Sequence, residues 1–127
     1  MSPLLSSSIL LFTNEVQRAN GLRIDLLSSD YLSVVSAVYL YAEDYEAPAL
    51  YKSGSTYFMF ASHESGWSPN DNLYCTATSL AGPWSAWTTF ATVGSNTYSS
   101  QTAAVVSING LVMYVHIQHR RRGGEFI

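Results

Sequence analysis

Between residues 22 and 117 the sequence repeats one pattern, short runs rich in tyrosine, threonine, valine and phenylalanine broken by glycine, proline, serine and asparagine. Apolar residues do not recur at the three-to-four spacing of an amphipathic helix, so the pattern predicts an all-β chain of short strands and turns. Strands are expected over 22–27, 34–41, 49–52, 56–62, 73–78, 87–92, 102–108 and 111–117. In 56–62, Tyr57, Met59 and Ala61 point one way and Phe58 and Phe60 the other. In 73–78, Leu73, Cys75 and Ala77 oppose Tyr74, Thr76 and Thr78. Ser53-Gly54-Ser55 and Asn109-Gly110 mark hairpins, and Asn-Gly is the strongest short signal of that kind. Such an antiparallel meander builds a sandwich, a barrel or propeller blades, and periodicity does not choose between them. At roughly 40 to 50 residues per blade, the 127 residues hold two to three blades, too few to close a ring.

With 47% hydrophobic and only 12% charged residues, the chain is expected to form a core rather than stay disordered. Its formal charge of -3 offers no general cationic field, so no nucleic-acid partner is expected. Arg120, Arg121 and Arg122 read as a solvated basic tail within 118–127. A single cysteine, Cys75, excludes an internal disulfide. The divergent segment 1–19 has an apolar start, but it lacks a basic n-region and is interrupted by Ser6, Ser7 and Ser8, so it is not spelled as a signal peptide. No run approaches the roughly 18 apolar residues that span a bilayer, and no membrane partner is expected.

Glu43, Asp44 and Glu46 form the densest carboxylate cluster, immediately before Ala47-Pro48-Ala49-Leu50. Close like charges raise one another's pKa, one way to hold a protonated acid at neutral pH, and Glu46 is the candidate general acid. The competing reading is a solvated turn carboxylate. Trp67 lies among turn formers in Ser65-Gly66-Trp67-Ser68-Pro69-Asn70, either as a binding platform or folded back over a sheet edge. Trp84 and Trp87 are assigned to the core. His116 and His119, three apart on a strand, should face opposite ways, and His63 has no partner of ligand type, so no metal is expected. No phosphate loop, serine elbow or Cys-x-x-Cys pair occurs, and no other cofactor is expected.

Taken in order, Glu46-Ala47-Pro48-Ala49-Leu50-Tyr51-Lys52, Tyr57-Phe58-Met59-Phe60-Ala61-Ser62, Gly66-Trp67-Ser68-Pro69-Asn70, Ser79-Leu80-Ala81-Gly82-Pro83-Trp84 and Asn96-Thr97-Tyr98-Ser99-Ser100-Gln101 resemble glycoside hydrolase family 43, most closely its galactan 1,3-β-galactosidase subgroup. Residues 22–32 resemble the strand and Asp-Tyr-Leu turn that precede the acid. The resemblance covers about residues 20 to 115. It implies that 20–117 is an incomplete part of a five-bladed β-propeller performing inverting exo-cleavage of β-1,3-galactan or a related glycan. By the same resemblance Glu46 matches the general acid, and Gln101 a substrate and water contact with a share in the base role. Gly66 and Trp67 match the loop lining the sugar subsite, with Tyr98 beside it. The aspartate base and second aspartate of the wider family have no secure equivalent, and Val115-His116-Ile117-Gln118-His119 departs from the family pattern. Relatives are usually secreted, which implies an extracellular setting. Two further readings stand beside the enzyme: a non-catalytic glycan-binding β module, and an inactive fragment whose unpaired strand edges self-associate.

Overall fold

The strands form three antiparallel sheets, seen in a computed structural model that describes residues 9–13, as backbone only, and residues 21–118. Sheet I orders β1 (Ile9–Thr13), β2 (Leu22–Leu27) and β3 (Val34–Leu40). Sheet II orders β4 (Tyr45–Ser53), β5 (Thr56–His63), β6 (Leu73–Ala77) and the two-residue β7 (Thr88–Thr89). Sheet III pairs β8 (Ser100–Ile108) with β9 (Leu111–Gln118). Most of segment 1–19, His119 and the arginine run lie outside the described residues. Among the described residues one short helical turn, Asn96–Ser99, interrupts this nearly all-β architecture.

Sheets I and II pack through the predicted alternation. Met59 and Ala61 of β5 and Cys75 of β6 are buried with Leu22, Ile24 and Tyr41, and Trp84 and Trp87 pack against this cluster as assigned. Tyr41 lies 5.5 Å from Trp84 and 5.3 Å from Trp87, ring centre to ring centre. Gly82 makes the approach of Trp84 possible. Its φ is +81°, and a Cβ there would stand 3.1 Å from the Trp84 amide and 3.2 Å from the Tyr39 ring, so no other residue fits without strain. On the opposite side of β5, Phe60 meets Phe90 at 5.4 Å, and Phe90 meets Tyr114 of β9 at 5.1 Å. This aromatic seam joins sheet II to sheet III.

Three boundaries depart from the pattern. Strand β4 begins four residues before the expected 49–52 and runs through Pro48. A register shift between Glu46 and Ala49 absorbs the proline, which an edge strand tolerates because the missing N–H interrupts no second ladder. The expected strand 87–92 shrinks to Thr88–Thr89 because Phe90 leaves the ladder to fill the seam. Strand β1 lies in an unbroken apolar run, Ile9-Leu10-Leu11-Phe12, without the two-residue alternation that marks the others. The Asn109-Gly110 hairpin forms as expected, both residues adopting positive φ, 51° and 79°. The first strands of the three sheets are neighbours, β1 beside β4 and β4 beside β8.

Candidate active site

The bulge in β4 and the start of β8 together make the site. Ala47 takes φ +53°, and two residues of β4, Ala47 and Pro48, face one of β5. A bulge kinks its strand and re-aims the side chains beside it, and Glu46 sits at this one. Gln101, the second residue of β8, donates from Nε2 to Glu46 Oε1 at 3.0 Å and to Ser62 Oγ at 3.0 Å. Ser62 is fully buried, pairs with Glu46 across the β4–β5 ladder, and donates to the Glu46 carbonyl at 3.4 Å. Both amide hydrogens are thereby used, leaving Gln101 Oε1 as the acceptor of the pair, with the amide orientation assigned from these contacts. Glu43 turns elsewhere, its carboxylate accepting the Trp87 indole N–H at 3.2 Å.

Gln101 is held from behind by a buried polar clamp between sheets II and III. Asn72 Oδ1 accepts from the Thr102 amide at 2.9 Å, the Thr102 hydroxyl at 3.0 Å and the Tyr114 hydroxyl at 3.2 Å. The Asn72 backbone N–H donates to Thr97 Oγ1 at 2.6 Å, and Thr97 Oγ1 donates to the Asn70 carbonyl at 3.2 Å. Next to it, Asp71 accepts from the amides of Gly94 and Asn96, each at 2.7 Å. These contacts hold Asn96, Thr97, Tyr98 and Ser99 at φ of 53°, 50°, 54° and 60°. Four consecutive left-handed residues are unusual for L-amino acids, at roughly 1–2 kcal/mol each. The turn delivers the chain into β8 with Gln101 facing Glu46.

Trp67 stands at the tip of the loop joining β5 to β6 and is 95% exposed. It is not folded back on the sheet. Its loop is rigidly tied: Asn70 accepts from the His63 amide at 3.2 Å and donates to the His63 carbonyl at 3.0 Å and to Ser65 Oγ at 2.6 Å. Gly66, at φ +62°, gives the loop its reversal beside the tryptophan. Because β5 ends where Glu46 pairs with Ser62, this loop leaves from the same end of sheet II as the carboxylate. Tyr98 is placed differently. Its hydroxyl meets Thr92 Oγ1 at 3.2 Å, and it lines a separate cavity of about 300 Å³ with Phe90, Tyr114, His116 and Gln118, whose lining includes neither Glu46 nor Gln101.

The structure thus brings Glu46 and Gln101 into contact across 55 residues of sequence and presents Gly66 and Trp67 at one rim. Ser62, Asn72 and Asp71 were not marked by the sequence. Ser62 reads as the end of a strand and Asn72 and Asp71 as loop formers, and only the tertiary contacts distinguish them. Among the described residues no group of three His, Cys, Asp or Glu is placed to hold a metal ion. No described helix is long and apolar enough to cross a membrane.

No family model matches the sequence, and no curated protein matches it. Solved structures do. The exo-β-1,3-galactanase of Phanerochaete chrysosporium, in a glutamate-to-glutamine variant holding β-1,3-galactotriose, is 31% identical with a TM-score of 0.82, over 91% of this chain and 27% of that one. The same enzyme with galactose matches at 31% identity and TM-score 0.75, over 87% of this chain and 28% of that one. A Bifidobacterium bifidum protein put forward as an exo-β-1,3-galactanase is 33% identical with a TM-score of 0.74, over 86% of this chain and 42% of that one. A β-1,3-galactosidase of family 43 is 26% identical with a TM-score of 0.70, over 85% of this chain and 26% of that one. The chain therefore spans between a quarter and a half of the length of these relatives. Nearly its whole described fold is shared with theirs, and the chain is a partial member of glycoside hydrolase family 43.

Proposed function

We propose that the three sheets are consecutive blades of a five-bladed propeller, and that the chain carries part of the active site of an inverting exo-glycosidase acting on β-1,3-galactan. The observation that supports this most directly is the Glu46–Gln101 hydrogen bond between the first strands of adjacent sheets. The Phanerochaete enzyme supplies the glycan class, since it holds β-1,3-galactotriose and galactose.

Glu46 is the proton donor to the departing glycosidic oxygen. Inverting hydrolysis separates acid and base by about 6.5–9.5 Å so that a sugar and a water fit between them. Gln101 is not placed at that separation but holds Glu46 Oε1 at 3.0 Å, a contact that a sugar oxygen meeting the same atom replaces. Gln101 in this arrangement orients the Glu46 carboxyl at rest and is released to hold a sugar hydroxyl or the water during turnover. A neutral amide is a weak base, and the base role that the resemblance implies is narrowed here to orientation. Gly66 and Trp67 offer an apolar face to the sugar ring. Extracellular placement belongs to the same proposal, by resemblance to secreted relatives.

Hydrolysis of β-1,3-galactotriose by the purified full chain tests this reading, with circular dichroism to establish folding. Galactose release that falls about 10²–10⁴-fold in Glu46→Gln is the expected outcome. A second reading, a glycan-binding module without catalysis, is favoured by the exposure of Trp67 on a tied loop. Folded protein that binds galactotriose, loses that binding in Trp67→Ala and shows no turnover would replace the enzyme reading with this one.

A further inference from the structure

We infer that the cavity between sheets II and III is a second carbohydrate contact, distinct from Glu46 and Gln101, which receives one neutral sugar ring against Tyr98, Tyr114 and His116. The inference rests on the glycan reading above and adds a site to it.

The cavity measures about 300 Å³, at the small end of the range for ligand sites, which suits a single ring rather than a chain of them. Its lining carries no Asp, Glu, Lys or Arg, so it has no fixed charge to pair with an ion and fits an uncharged ligand. Its wall is aromatic. The His116 ring stacks on Tyr114 at 5.8 Å with 22° between planes, and aromatic rings of this kind receive the C–H face of a pyranose. Phe90 closes the end of this surface, 5.1 Å from Tyr114.

The rim is polar. His116 is exposed, and among the described residues its ring nitrogens take part in no hydrogen bond, so both can meet sugar hydroxyls. Gln118 stands beside it and donates to the Tyr98 carbonyl at 3.3 Å. Tyr98, 67% exposed, lines the cavity from the left-handed turn. The Asp71 carboxylate and the Thr97 hydroxyl are both committed to holding that turn. Backbone kept in an unfavourable conformation by such contacts is characteristic of ligand clamps. The cavity and the left-handed turn thus point to the same place.

The test is amide-resolved NMR titration of the full chain with galactose and with β-1,3-galactobiose, in wild type, His116→Phe, Tyr98→Ser and Glu46→Gln. His116→Phe keeps the stack on Tyr114 and removes the ring nitrogens, which separates recognition from folding. We expect shifts around Ala91, Tyr98 and His116 that persist in Glu46→Gln and whose affinity falls at least tenfold in His116→Phe and in Tyr98→Ser. Shifts confined to the Glu46 and Gln101 region, unchanged in both cavity variants, would overturn the second site and leave the proposed function standing. Silence throughout, with both sugars and folded protein, would overturn both. Cavity shifts without any at Glu46 would support the second site while counting against the catalytic reading.

Discussion

Ser62 holds one of the two hydrogens of the Gln101 amide and is fully buried while doing so. Ser62→Ala leaves that N–H without its acceptor, a loss of about 1 kcal/mol in stability. Because Ser62 fixes where Gln101 sits, both beside Glu46 at rest and when it holds the sugar or water, turnover on β-1,3-galactotriose should fall roughly tenfold, the rate equivalent of about 1.4 kcal/mol. Unchanged turnover with the stability loss alone would show Ser62 to be purely structural. Cys75 supports a prediction of another kind. Burial, the main cause, pushes its thiol from 9.0 up to about 12, and burial likewise raises Tyr41, whose buried hydroxyl lacks an ordinary hydrogen bond. The unfolded thiol ionises near pH 9, while the native one keeps its proton. The contribution to stability is therefore complete below about pH 9 and is lost as pH rises toward about 12. Urea unfolding between these limits should show a shallower decline in Cys75→Ser than in wild type, with the remaining decline left to Tyr41 and Tyr45, both raised by burial. Single residues were legible where local chemistry marks them. Glu46 was visible as a carboxylate ahead of a proline and through resemblance, but Ser62 carries no local mark.

The left-handed turn depends on one side chain more than any other, Asp71, which accepts from two amides 23 and 25 residues away. Asp71→Ala strands both donors and should lower stability by about 2 kcal/mol, given charge-assisted hydrogen bonds of roughly 1.5–3 kcal/mol each and partial solvent replacement. Hydrogen exchange would report it locally, with the Gly94 and Asn96 amides losing protection before those of β5. Equal protection in the variant would mean that Thr97 and Ser100 hold the turn without it. At this scale alternation and turn chemistry were informative. The β5 and β6 faces follow the reading residue by residue, and Asn109-Gly110 turns where its two small residues tolerate positive φ. The turn at 96–99 was not legible, because none of its four residues is glycine and the conformation is imposed by Asn70, Asp71 and Asn72 from a distant loop. The passage of β4 through Pro48 escaped the pattern for a related reason. Proline normally ends a ladder, and only the position of β4 at the edge of sheet II permits it to continue.

Sheet III meets sheet II through Tyr114, which packs on Phe90, and leaves its opposite face open. Ile108, Leu111, Met113, Val115 and Ile117 are all exposed, and residues 101–118 contain no Asp, Glu, Lys or Arg. A continuous uncharged apolar strand lacks the devices that keep exposed β-structure from sticking. The chain on its own is therefore expected to self-associate as its concentration rises, and Val115→Lys to shift it toward the 14.0 kDa monomer in light scattering. A wild-type chain that stays monomeric at high concentration would refute this. Composition, alternation and hairpin turns, all properties of neighbouring residues, by themselves determined that the chain is all-β, where most strands run and which side chains are apolar in each. Those properties are silent about which sheet meets which. Packing of Leu22, Ile24 and Tyr41 against Met59, Ala61 and Cys75, and of Phe60 and Phe90 against Tyr114, set β1, β4 and β8 side by side. Only that long-range burial brought Glu46 to Gln101 and opened the cavity beside Tyr98, because no local preference acts between residues so far apart in the chain.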